Sequence, residues 1–117
     1  DQQQLGQTYI DAGADVVIGA HTHCLQGMEY YKGKPILYSL GNFWFDWQED
    51  LADLTGLAQV VIDENGAMSF RFLPCIYGNG VTRLLTDPKD KAQAIKYMQS
   101  LSNGVRIDPD GWITQED

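Results

Sequence analysis

Apolar and polar positions recur with two different periods along this chain, and the change of period divides it. Leu5, Tyr9 and Ala12 fall at i, i+4 and i+7, which makes one apolar stripe on a helix from Gln2 to Ala12. Gly13 follows as a left-handed C-terminal cap. Asp15-Val16-Val17-Ile18-Gly19 is a short β-branched run bounded by glycine, the pattern of a strand buried on both faces. After Ile18 the pieces turn antiparallel. Met28–Tyr31 and Pro35–Leu40 flank Lys32-Gly33-Lys34 as a hairpin, with Ile36, Tyr38 and Leu40 on one face and Leu37 and Ser39 on the other. Gly41-Asn42 breaks the strand before the aromatic cluster Phe43-Trp44-Phe45 and Trp47. Gln48–Asp53 is acidic and reads as an exposed loop.

A second hairpin is marked more strongly. Thr55–Ile62 and Met68–Leu73 flank Asp63-Glu64-Asn65-Gly66, and Met68, Phe70 and Phe72 alternate with Ser69 and Arg71. Pro74 is expected to end regular pairing or mark an edge. Gly78-Asn79-Gly80 reads as a loop. Asp87-Pro88 opens a second helix, with Asp87 as cap and Pro88 at the first helical position. Ile95, Met98 and Leu101 give its stripe, and Asn103-Gly104 stops it. Residues 105–117, rich in Asp and Gly, are expected to form an irregular tail. The element order describes an α/β protein, α+β within these residues alone, with one buried strand, antiparallel hairpins and two flanking helices.

Composition narrows the classes. The 117 residues suffice for a single domain with one modest core, and 44% hydrophobic with 21% charged residues fits a soluble globular chain. Eight Lys+Arg against 16 Asp+Glu give a formal charge of −8. No basic block is present, which argues against nucleic acid and anionic lipid as partners. The apolar runs fall far short of the ~20 residues that span a bilayer. The chain begins at Asp1 without Met, so a processed or excised piece is expected. Cys24 and Cys75 are two cysteines only, read as free thiols, with pairing left open.

Candidate chemistry concentrates at Gly19-Ala20-His21-Thr22-His23, where the two histidines of the chain lie two residues apart, directly after the strand. Ligands collect beyond the C-terminal ends of strands in open α/β sheets. Imidazole is the commonest neutral metal ligand, and Gly19 lets the backbone turn sharply. The pattern equally fits a surface loop whose rings bond nearby carbonyls. Catalytic metals need three or four protein ligands in most cases, so two histidines are not a site. Asp15, Cys24, Glu29, Asn42 and Asp46 are further candidates without a spacing that demands any of them. Asp15 fits better as a strand-start residue, Cys24 as a packed or free thiol, and Asp46 as a solvated acid. Gln26 and Glu29 could orient the histidines or start an exposed hairpin. Phe43-Trp44-Phe45 could line a groove, belong to the core, or form a surface that another part of the protein covers.

The stretch Gly13-Ala14-Asp15-Val16-Val17-Ile18-Gly19-Ala20-His21-Thr22-His23, with Gln26, Glu29 and Tyr30-Tyr31-Lys32-Gly33-Lys34-Pro35-Ile36-Leu37-Tyr38-Ser39-Leu40-Gly41-Asn42-Phe43, resembles the last block of the CapA/PgsA-type proteins of poly-γ-glutamate capsule biosynthesis. These are similar to calcineurin-like metallophosphoesterases, which close on Gly-His-x-His. The likeness is close over residues 2–46 and looser through the Asn65-Gly66 hairpin and the helix from Pro88. It implies the C-terminal part of a larger metallophosphoesterase-like sandwich, with His21 and His23 each contributing to one of two neighbouring divalent metal ions. Gln26, Glu29 and Asn42 are then supporting or substrate-binding candidates. One departure is Ala20, which stands where a phosphoesterase has glycine directly before its first histidine.

The upstream acidic and Asn-His motifs of the family do not occur in these residues. The resemblance therefore implies an upstream part of the same domain as partner, and no tight metal binding or hydrolysis by this chain alone. It also implies an anionic polymer or capsule-assembly proteins as partners, and action at the bacterial cell envelope for the whole protein. The competing reading is a non-enzymatic binding or scaffolding module in polymer assembly or export.

Overall fold

A computed structural model describes residues 1–44 and 53–116 of the chain. The elements are α1 (Gln2–Asp11), β1 (Val17–Ile18), β2 (Met28–Tyr31), β3 (Lys34–Leu37), β4 (Asp53–Ile62), β5 (Met68–Gly78), β6 (Val81–Leu84), α2 (Pro88–Leu101), β7 (Val105–Ile107) and β8 (Trp112–Gln115). This is an α+β fold with two sheets. One has the order β1-β3-β2; the other runs β4-β5-β8-β7, with β6 also paired to β5.

Both helices form where local chemistry caps them. Asp1 accepts from the Gln3 amide at 2.9 Å, and Gly13, at φ +114°, lets the chain leave α1. Asp87 accepts from the amides of Lys89 and Asp90, and Pro88 occupies the first turn of α2. The buried face of α1 differs from the expected stripe. Gly6 and Ile10 are buried, whereas Leu5 and Tyr9 are half exposed and Ala12 is exposed. The reason is close approach: a Cβ on Gly6 would lie 3.1 Å from Ile36 Cγ2, so the helix rests on β3 through its smallest residue.

The strand buried on both faces is β3, not the Val16–Ile18 run. Pro35, Ile36 and Leu37 are all buried; Ile36 meets α1, while Leu37 enters the main core. β3 takes β1 in parallel on one side and β2 antiparallel on the other. β1 is an edge strand of two residues, and Ile18 is 47% exposed. The first hairpin turns on Lys32 and Gly33, both at positive φ. Its second strand starts at Lys34 and ends at Leu37, and the chain then continues through a Tyr38 N–H bond to the Gly27 carbonyl.

The second hairpin is longer than its alternation suggests, pairing Asp53↔Tyr77 through Ile62↔Met68. Pro74 does not end it but sits fully buried opposite Gly56. β5 pairs β8 at Phe70 and Arg71 and β6 from Cys75 onward, so Pro74 falls between two partners, where its missing N–H is not required. The expected loop at Gly78-Asn79-Gly80 is a tight turn into β6, with Asn79 and Gly80 at positive φ. The expected irregular tail is also ordered. β7 and β8 pair around a turn in which Asp108 accepts from the amides of Asp110 and Trp112. The Asp108, Asp110 and Gly111 lie in that turn, while Val105, Ile107 and Ile113 alternate into the core.

The core joins both sheets. Met28 and Leu37 come from the first, Leu25 from the segment before β2, Phe72, Val105, Ile107 and Ile113 from the second, and Ile95 and Met98 from α2. Leu101, expected on the α2 stripe, is 40% exposed. Main-chain bonds tie the layers: the Asn103 N–H donates to the Met28 carbonyl at 3.1 Å, and the Met28 N–H donates to Ser102 Oγ at 3.0 Å. Cys24 is exposed, Cys75 is buried, and both are free. No helix among the described residues is long and apolar enough to cross a membrane.

Candidate functional site

β1 delivers its chain directly into the histidine loop. The Gly19 N–H donates to the Leu37 carbonyl at 2.7 Å as the last bond of the parallel pair. A Cβ at Gly19 would lie 2.4 Å from the Tyr38 carbonyl oxygen, so only glycine fits there. Two residues later the backbone is strained. His21 has φ 93° and His23 φ 60°, conformations that cost a non-glycine residue of order 1–3 kcal/mol. Both imidazoles are exposed, with ring centroids 6.5 Å apart and planes 43° from parallel.

The Tyr38-Ser39-Leu40-Gly41-Asn42-Phe43 run builds the wall opposite. Ser39 is buried, with its Oγ accepting from the Gly41 N–H and its carbonyl from the Gln26 N–H. Leu40 bridges Leu25 and accepts at its carbonyl from the Thr55 hydroxyl. Gly41, at φ +74°, brings the chain to within contact of Cys24 and Leu25. Asn42 Oδ1 then faces His23 Nδ1 at 2.8 Å. With the amide oxygen as acceptor, the proton sits on Nδ1 and the ring's lone pair on Nε2. Two segments 19 residues apart thus converge on one imidazole. Thr82 on β6 donates to the Phe43 carbonyl, which anchors the end of the run to the larger sheet.

Of the residues picked out from the pattern, the fold brings Asn42 to His23 and places Gln26 and Glu29 elsewhere. Gln26 Oε1 accepts from Gln2 Nε2 at 3.0 Å. Glu29 Oε1 accepts from the Tyr38 hydroxyl at 2.5 Å and from Gln7 Nε2 at 3.1 Å. Burial, and then the Glu29 carboxylate, push the Tyr38 phenol well above its ordinary range. Tyr38 and Gln7 were not singled out by the sequence; a tyrosine on a strand and a glutamine on a helix carry no local sign that they will meet. Asp15 lies in an exposed ion pair with Lys34 at 2.8 Å, in keeping with a strand-start role. Phe43 is 41% and Trp44 71% exposed, so these two are not core. Phe45, Asp46, Trp47 and the acidic loop from Gln48 lie outside the described residues apart from Asp53. Among the described residues, no group of three His, Cys, Asp or Glu side chains gathers as a metal site.

Residues 1–47 match the model of the family described as bacterial capsule synthesis protein PGA_cap, and the histidine loop and its opposing wall both lie inside that stretch. The chain is CapA-like. It is 33% identical over 97 residues to the capsule biosynthesis protein CapA of Bacillus anthracis, covering 83% of this chain and 24% of that protein. It is 41% identical over 73 residues to the PGA biosynthesis protein CapA of Bacillus subtilis, covering 62% of this chain and 19% of that protein. A 45-residue stretch, 38% of this chain, is 53% identical to the uncharacterized protein y4sH of Sinorhizobium fredii and covers 10% of it. The chain therefore spans about a quarter or less of the curated relatives it matches.

Proposed function

We propose that this CapA-like chain carries the closing pair of metal-ligating histidines of a phosphoesterase-like centre in a capsule-polymer biosynthesis protein of the bacterial cell envelope. One observation carries the reading: His21 and His23 sit on a strained loop at the end of a parallel strand, and Asn42 Oδ1 lies 2.8 Å from His23 Nδ1. A metal-ligating histidine characteristically gives its other ring N–H to an oxygen acceptor, and Asn42 Oδ1 is such an acceptor. The two exposed imidazoles fit divalent metal ions as neutral nitrogen donors. Divalent ions held there would supply charge stabilisation to a phosphoryl group. His21 and His23 act in this scheme as ligands rather than as bases, and Asn42 orients a ligand.

The other ligands come from the longer protein. Leu5, Tyr9 and Ile18 leave an apolar surface beside edge strand β1, and a cavity of about 250 Å³ opens between α1 and that edge. A neighbouring segment of the same domain packs there and completes the coordination. The names of the relatives support a role in capsule polymer biosynthesis; an anionic polymer or capsule-assembly proteins are the partners this reading expects.

Metal content of the full-length protein tests the reading. Wild type should hold stoichiometric divalent metal, His21→Ala and His23→Ala should lose it, and Asn42→Ala should weaken it by about 10–100-fold. Full metal content in both histidine variants would overturn the proposal. The exposed apolar residues also favour a second reading, a non-enzymatic docking module; polymer production unchanged in a metal-free protein would select it.

A further inference from the structure

We propose that the polar cleft between the start of α1 and the β2–β3 hairpin is a binding site for a small primary ammonium group, seated on Glu29. The cleft, of about 210 Å³, is lined by Gln2, Gln3, Gln26, Glu29, Tyr38 and Asn103 among others, and neither histidine belongs to the lining. It is distinct from the centre proposed above and does not depend on it.

Charge is the first argument. Glu29 is partly buried, and its two hydrogen-bond donors, the Tyr38 hydroxyl and the Gln7 amide, are both neutral. The ion pairs among the described residues are Lys32–Asp11 and Lys34–Asp15, so no lysine or arginine there forms an ion pair with Glu29. A partly desolvated carboxylate held by neutral donors is a fixed negative potential facing the cleft. The Tyr38 hydroxyl donates to Glu29 Oε1 and so holds the carboxylate in one orientation beside the cleft.

The second argument is the shape of the hydrogen-bonding surface. An ammonium offers three donors and no acceptor. The carboxylate and the side-chain carbonyl oxygens of Gln and Asn supply acceptors on several walls. The volume lies below the ~300–1,000 Å³ of drug-sized pockets, which restricts the ligand to a small head group. The walls come from α1, β2, the segment after β3 and the residues after α2. The Asn103 N–H bond to the Met28 carbonyl, and a parallel bridge to Glu29, hold the last of these in place. The cleft is thus formed before a ligand arrives, and the chain's charge of −8 favours cations near its surface.

An amide-resolved NMR titration of the chain with n-propylammonium, n-propanol and Mg²⁺ tests this. The ammonium should shift the Gln26, Glu29 and Asn103 amides saturably, with the neutral alcohol of similar size at least tenfold weaker. Glu29→Gln, confirmed as folded by its urea transition, should lose at least tenfold in ammonium affinity. The comparison of ammonium with alcohol on the unmodified chain stands even if that variant does not fold. Equal response to the alcohol, unchanged binding by the folded variant, or Mg²⁺ saturating the same amides more tightly than the ammonium would each overturn the proposal.

Discussion

The layer of α1 with β1–β3 and the layer of β4–β8 with α2 are built to different degrees of closure. In the second, Phe72, Met98 and Val105 are buried to 1% or less, and β5, β7, β8 and α2 share one core with Leu54 and Ala58 of β4 packed against it, while β6 stays at the surface. In the first, β3 is buried on both faces, but the edge beside it opens onto Leu5, Tyr9 and Ile18. The strained histidines, the Asn42 contact and the Glu29 cleft all lie in or beside this open layer. The closed layer serves as its foundation, through Thr55 on Leu40, Thr82 on Phe43 and Ser102 on Met28. Polar chemistry and backbone strain are tolerated where a second, well-packed layer over-determines the loop.

The contrast can be broken most severely from the closed side. Phe72→Ala should cost about 3–5 kcal/mol, because the ring is fully buried at the centre of the core. Urea denaturation reads the loss; a cost below about 1 kcal/mol would mean that the second layer is no foundation. The junction between layers comes next. A Cβ on Gly27 would lie 1.9 Å from the Leu101 carbonyl oxygen, so Gly27→Ala should cost about 1–3 kcal/mol by forcing α2 away from β2. Hydrogen exchange should show the first layer opening ahead of the second.

Strain in the open layer predicts an effect of opposite sign. His21→Gly relieves φ 93° and should stabilise the chain by about 1 kcal/mol while removing a proposed ligand. An unchanged or lower urea midpoint would show that the loop stores no strain. In this 117-residue chain alone Ile18→Ser, at an exposed edge, should stay within about 0.5 kcal/mol of the unmodified chain. A larger loss would reveal that this face is covered in solution.

The smallest effect concerns pH. The folded chain holds the Tyr38 proton more tightly than the unfolded chain, whose tyrosine titrates near about 10. The stability so contributed is complete below pH ~10 and is lost as pH rises through the higher folded value. Tyr38→Phe should flatten the alkaline fall in unfolding free energy, and an equally steep fall in the variant would place the titration elsewhere.

Local chemistry was legible before any fold was known. The caps at Asp87 and Gly13, the Lys32-Gly33 and Asn65-Gly66 turns, and the alternation of Met68, Phe70 and Phe72 act within a few residues of themselves. For the same reason the His21-Thr22-His23 pair stood out, since both rings leave one short loop. An irregular tail is the wrong expectation because the turn-forming Asp108, Pro109, Asp110 and Gly111 lie together at its centre. Asp108, Asp110 and Gly111 occupy the turn, while Ile113 pairs with Phe70 on β5, far away in the chain.

Tertiary structure alone settled which faces are covered and which polar groups meet. A β-branched run reads as buried whether or not a neighbour arrives, so β1 and β3 could be told apart only by their place in the sheet. Asn42 could have served either nitrogen of either histidine, and Glu29 could have served the histidines rather than Tyr38. Periodicity orders residues along one element, whereas contacts between residues 19 to 24 positions apart depend on how elements pack against one another.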